Sequence, residues 1–133
     1  MYDNPWTLND EPYTGHDVKS YFGFVYQIID LTTNKKYIGR KYFWSLKKIK
    51  GKVKKSRVES DWKNYYSSND FIKKEAKTNP NRFKREILHL CESKGKTNFF
   101  EIHEQFKREV LLSDEYYNDN INGKWFKVNV MKY

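Results

Sequence analysis

Two tyrosines, Tyr26 and Tyr37, stand eleven positions apart, the second inside a stretch whose charge changes what a phenol can do. Between Leu31 and Val58 there is no carboxylate, yet eleven of the chain's 26 Lys and Arg fall there: Lys35, Lys36, Arg40, Lys41, Lys47, Lys48, Lys50, Lys52, Lys54, Lys55 and Arg57. A tyrosine serves as a base only if its pKa drops well below its usual ~10. Adjacent cations push it that way by favouring the phenolate. The same block sets up a positive potential that attracts a polyanion and releases its counterions. A mixed-sign surface would serve solubility equally well, so contact with nucleic acid is the expectation.

Other chemistries find less support. Cys91 is the only cysteine, which excludes an internal disulfide and a Cys-based zinc site. It sits in the apolar run Ile87–Cys91 and reads as a buried thiol. His16, His89 and His103 have no ligand spacing. Glu59 and Asp61 flank Trp62 and read as neutralising nearby lysines, and Ser67-Ser68 as helix capping rather than phosphate contact. No stretch is long or apolar enough to span a membrane, and the polar, acidic N-terminus lacks a signal peptide's apolar core, so a cytoplasmic protein is expected.

The elements that must position these residues follow from hydrophobic period. Residues 1–20 carry Pro5, Pro12 and Gly15 without periodicity and read as an extended arm pinned by Trp6 and Tyr13. Residues 21–30, rich in β-branched and aromatic types, read as a strand, and 36–43 as the return strand of a hairpin. The segment 44–66 suggests helix fragments or a surface loop. A short helix is expected over 68–77, capped by Ser68 or Asn69, then a third strand over 82–91. A helix follows from about 98 to 112, with Phe99, Ile102, Phe106 and Val110 as the stripe facing the sheet. The tail over 125–130 reads as strand-like. The expected class is α+β, a small three-stranded, mainly antiparallel sheet flanked by helices, with residues 21–133 as one domain.

Phe24-Val25-Tyr26 followed by Tyr37-Ile38-Gly39 resembles the paired motif that names the GIY-YIG nucleases, with Phe24 where that motif has its first glycine. Tyr-Ile-Gly-Arg-Lys and the Glu59–Trp62 stretch are similar to the phage and homing-endonuclease branch. The resemblance covers roughly residues 22 to 118. It implies hydrolysis of phosphodiester bonds in double-stranded DNA, dependent on Mg²⁺ or Mn²⁺, with a homodimer wherever both strands are cut. It also implies a general base at Tyr26 or Tyr37, both lining one pocket, Tyr26 being the first choice. Arg40 matches a frequent pocket cation, and Asn118 a downstream asparagine that braces the site. The family's essential arginine falls about ten residues after the second tyrosine, where this chain has Lys47. Either Lys47 serves as a point charge or Arg57 is delivered to the site. The metal ligand is expected at Glu101, with Glu104 as its rival, unless Asn98 and Glu101 merely form a capping box. Lys41, Lys48, Lys50, Lys52, Lys54 and Lys55 are the expected DNA contacts. The opposing reading keeps the fold as a nucleic-acid-binding module that cannot cut.

Overall fold

The strand predicted over 21–30 becomes an interior strand, hydrogen-bonded on both sides, because both of its faces are apolar. The computed structural model describes residues 2–48 and 55–130. In it, β1 (Thr7–Leu8), β2 (Glu11–Pro12), β3 (Gly23–Asp30), β4 (Lys36–Tyr42) and β7 (Phe83–Cys91) form one sheet in the order β2-β1-β7-β3-β4. Alternation along β3 sends Phe24, Tyr26 and Ile28 to one face and Val25 to the other. The first face packs on Trp6, Phe43, Trp62, Phe83 and Ile72, the last from helix α1 (Asp70–Thr78). The second packs with Ile38, Cys91, Val110, Leu111 and Ile121 beneath helix α2 (Lys94–Lys107).

The sheet has five strands rather than the expected three. The additions come from the N-terminal segment, where Thr7 pairs in parallel with Glu86 and the chain turns back to Pro12. Two-residue strands carry no readable period. What fixes them is side-chain bonding: the Trp6 indole donates to the Trp62 carbonyl at 2.7 Å, and Asn4 Nδ2 donates to the Pro80 and Phe83 carbonyls at 2.8 Å each. Trp6 and Tyr13 are both buried.

Three further differences have physical causes. The segment expected as helix fragments or loop contains β5 (Trp44–Lys48) and β6 (Lys55–Glu59), an antiparallel two-stranded ribbon. Helix α2 begins four residues before expectation, because the Ser93 side chain accepts from the Lys96 amide at 3.1 Å and caps it there. It also ends early, at Lys107, and Glu109, with a φ of 51°, separates it from a 3₁₀ turn over Val110–Leu112. The expected apolar stripe is only partly correct. Val110 is buried, but Phe99 and Phe106 are exposed, and the buried positions on α2 are Thr97, Glu104 and Gln105. At the tail, β9 (Trp125–Phe126) pairs with β8 (Asn120–Ile121) and passes into the short α3 (Lys127–Val130). Helix α1 is capped by Asn69, which accepts from the Ile72 amide at 3.0 Å. Among the described residues no helix is long and apolar enough to cross a membrane.

Candidate active site

Strand β4 lies at the edge of the main sheet, and the residues of interest alternate along it. Tyr26 stands directly opposite Gly39, and its ring lies over that glycine. A Cβ at position 39 would overlap the Tyr26 hydroxyl and Cζ and press on the Tyr37 ring. Glycine is therefore required where the two tyrosines converge, their ring centroids 6.3 Å apart. Phe24 fills the core against Trp6 and Phe43, which is why a large side chain is accepted where the motif has glycine.

An edge strand leaves backbone groups without partners. Here side-chain amides close it: the Ile38 N–H donates to Asn118 Oδ1 at 3.0 Å, Asn118 Nδ2 donates to the Ile38 carbonyl at 2.8 Å, and Gln105 Nε2 donates to the same carbonyl at 3.1 Å. Both faces of the Asn118 amide are thus committed to the middle residue of Tyr37-Ile38-Gly39. The backbone of Lys36 is held on the same side by Glu115 and Tyr117.

Beside this brace opens a polar cavity of about 230 Å³, lined by Tyr37, Arg40, Ser68, Glu101, Asn118 and Asp119 among others. Four of the residues singled out in the sequence (Tyr37, Arg40, Glu101 and Asn118) therefore share one pocket. Tyr26 does not line it. It is completely buried behind Tyr37, because its ring is the cover over Gly39, so the expectation that both tyrosines line the pocket is corrected.

The electrostatics also differ from expectation. Burial, then the neighbouring Tyr65 and Tyr37, push the Tyr26 phenol well above its ordinary value. Burial raises Tyr37 too, with the Ser68 hydroxyl, 3.2 Å away, pulling it partly back. Sequence proximity to cations does not lower either phenol, and the two cations of β4 beyond Gly39 are engaged elsewhere. Lys41 pairs with Asp61 at 2.7 Å and lies over the Tyr65 ring, while Arg40 Nε donates to Asn98 Oδ1 at 2.7 Å and stands 3.6 Å from Glu101.

The two glutamates separate cleanly. Glu104 is held by His89 and Arg108, each at 2.8 Å, and has no face toward the pocket. Glu101 opens into it, its carboxyl raised by burial and partly offset by Arg40. The capping-box alternative for Glu101 fails because Ser93 caps the helix and Asn98 lies inside it. Asn98 instead accepts from both Arg40 and Tyr42, the latter at 2.6 Å.

Of the remaining candidates, Arg57 stacks on Trp44 at 4.3 Å and is directed to the Tyr21 carbonyl, away from the pocket. Lys47 stands opposite Ser56 in the ribbon, and Lys48 opposite Lys55. Lys50, Lys52 and Lys54 lie outside the described residues. Lys41 lines a neighbouring groove of about 260 Å³ together with Arg40 and Trp44. Sequence reasoning gave Asn98 only a capping role and missed Gln105. Asn98 and Gln105 fall three and four residues from Glu101, a helical spacing that would have placed them on its face.

The chain matches the family model described as "Putative endonuclease segE, GIY-YIG domain" over residues 6–121, and it belongs to that family. No curated protein and no solved structure matches it at a significant level.

Proposed function

We propose, from this membership and from the pocket's geometry, that the protein is a divalent-metal-dependent endonuclease that hydrolyses phosphodiester bonds in double-stranded DNA. The observation that carries the reading is the convergence of Tyr37, Arg40, Glu101 and Asn118 on one polar cavity. Magnesium characteristically takes one or two protein carboxylates and completes its shell with waters and substrate phosphates. Glu101, with Asp119 also in the lining, fits that demand, and among the described residues no group of three or more metal-binding side chains suggests a closed protein cage. Mg²⁺ or Mn²⁺ held there would supply Lewis-acid polarisation of the phosphate and an acidified water.

Each residue then has a task. Arg40, kept in place by Asn98, meets charge developing on the phosphoryl oxygens. Tyr37, the phenol that opens on the cavity, orients the attacking water and handles its proton, with its direction fixed by Ser68. Tyr26 acts through Tyr37, by packing beneath it and over Gly39. This reverses the roles expected for the two tyrosines. Asn118 holds the strand on which Tyr37 and Arg40 sit. Arg40 takes the arginine role for which Lys47 and Arg57 were candidates, and those two join Lys41, Lys48 and Lys55 as DNA contacts.

The test is conversion of supercoiled plasmid to nicked or linear product. Cleavage with Mg²⁺, none with EDTA, loss in Glu101→Gln and Tyr37→Phe, and partial retention in Tyr26→Phe are the expected results. One pocket attacks one strand at a time, so linear product formed without a nicked intermediate, at a rate rising with the square of protein concentration, indicates two chains acting together. A second reading, a DNA-binding module of the same fold that does not cut, is favoured by the upward displacement of both phenols. Salt-sensitive DNA binding without cleavage under Mg²⁺ or Mn²⁺ would establish it.

A further inference from the structure

Ribbon β5–β6 stands apart from the sheet. Its strands pair with each other, from Trp44 opposite Glu59 to Lys48 opposite Lys55, and with no strand of the main sheet. Yet its roots are firmly fixed. Phe43, just before β5, and Trp62, shortly after β6, are fully buried with their rings edge to face at 5.1 Å. The Ser60 amide donates to the Phe43 carbonyl at 2.8 Å, and the Ser60 hydroxyl to the Tyr42 carbonyl at 2.7 Å. Trp44 Nε1 donates to the Tyr21 carbonyl at 3.0 Å beneath the Arg57 stack. A loop kept only for solubility has no need of such anchorage.

Charge and dimensions point to the partner. The two strands carry Lys47, Lys48, Lys55 and Arg57 against a single carboxylate, Glu59, which accepts from the Trp62 indole at 2.7 Å. The groove at the ribbon's root shares Arg40 with the catalytic pocket. Five paired residues at about 3.3 Å each extend roughly 17 Å. The B-DNA major groove, about 12 Å wide and 8.5 Å deep, admits a two-stranded ribbon. The major groove of A-form RNA is too narrow to do so.

We propose that β5–β6 is a DNA-reading arm that enters the major groove beside the phosphate bound in the Tyr37–Glu101 pocket. The arm's location next to that phosphate rests on the nuclease reading; its binding to duplex DNA does not. The test is therefore made in EDTA, with the full chain and a duplex of about 30 base pairs, following fluorescence anisotropy from about 50 to 200 mM salt. Each phosphate contact removed flattens the slope of log Kobs against log salt by about 0.9. The triple variant Lys47→Ser, Lys48→Ser, Lys55→Ser should flatten it by between about two and three, with an unchanged melting temperature. In the wild type, methyl green, a major-groove ligand, should displace the protein while distamycin, a minor-groove ligand, should not. An unchanged slope in a folded triple variant, displacement by distamycin alone, or equal competition by an RNA duplex would each overturn the proposal. Wild-type protein that binds in this way but never cuts would refute the nuclease reading and leave the arm standing.

Discussion

Replacing Asn118 by alanine tests whether the site is held by its backbone brace. The side chain is buried and makes two bonds to Ile38, one received from its N–H at 3.0 Å and one given to its carbonyl at 2.8 Å. Alanine leaves the Ile38 N–H without a partner in a region closed to water, a cost of about 1–3 kcal/mol. The carbonyl keeps Gln105 at 3.1 Å, so its loss is closer to one net hydrogen bond, about 1 kcal/mol. The sum is about 2–4 kcal/mol. For a chain of this size that corresponds to a fall in melting temperature of roughly 8–16 °C. Urea unfolding with an unchanged m-value measures the same quantity at fixed temperature. Asn118→Asp sharpens the result. It keeps the acceptor for the Ile38 N–H but sets an oxygen against the Ile38 carbonyl, and should be no more stable than the alanine variant at neutral pH. An alanine variant within about 0.5 kcal/mol of wild type, or an aspartate variant as stable as wild type, would refute the brace.

Gly39→Ala should destabilise the protein by about 1–3 kcal/mol through overpacking against the Tyr26 ring. Combining it with Tyr26→Leu should give less than the sum of the two single changes, and strict additivity in urea unfolding would reject direct contact as the cause. Glu101→Gln should abolish cleavage yet unfold at higher urea concentration than wild type at neutral pH, because the buried carboxylate's charge opposes folding. Since burial raises the folded-state pKa above the unfolded one, this advantage is complete above the folded value. It fades as the pH falls to the unfolded value of ~4.3. A variant less stable than wild type at pH 7, or a difference that does not change with pH, would contradict that origin.

The hairpin, the third long strand and the α1 cap were legible because each rests on local physics: β-branched and aromatic runs for β3, β4 and β7, and an asparagine before a helical period for α1. Strands β1 and β2 were not, since nothing in residues 7–12 distinguishes them from coil until Trp6, Asn4 and Arg85 fix them from a distance. The site was legible as residue types and not as burial. Tyr26 and Tyr37 look equivalent in sequence, and only the glycine opposite Tyr26 decides which ring becomes a cover and which becomes a wall. The phenol pKa values were misjudged for the same reason. Lysines close in sequence lie on an edge strand and a separate ribbon, where Asp61 and the ring of Tyr65 engage Lys41, while Tyr26 is enclosed in the core and Tyr37 is half-buried at the cavity wall.

Helix α2 shows how the site left a signal that a search for apolar periodicity reads backwards. Its large apolar residues Phe99 and Phe106 face outward, whereas Thr97, Glu101, Glu104, Gln105 and Arg108, spaced by four, three, one and three residues, turn toward the sheet. A buried polar stripe is costly unless every group is satisfied. Here Thr97 is bonded to Ser93, Glu104 to His89 and Arg108, and Gln105 to Ile38. Glu101 differs, set between a single ion pair to Arg40 at 3.6 Å and an open cavity. A carboxylate set among satisfied neighbours, and itself raised by burial, is held in a state that folding disfavours and that a bound cation would relieve. The stripe is therefore legible as function before it is legible as packing: where polar residues share the helical period of a face that must be buried, the member that faces a cavity with one ion pair is the one to examine for chemistry.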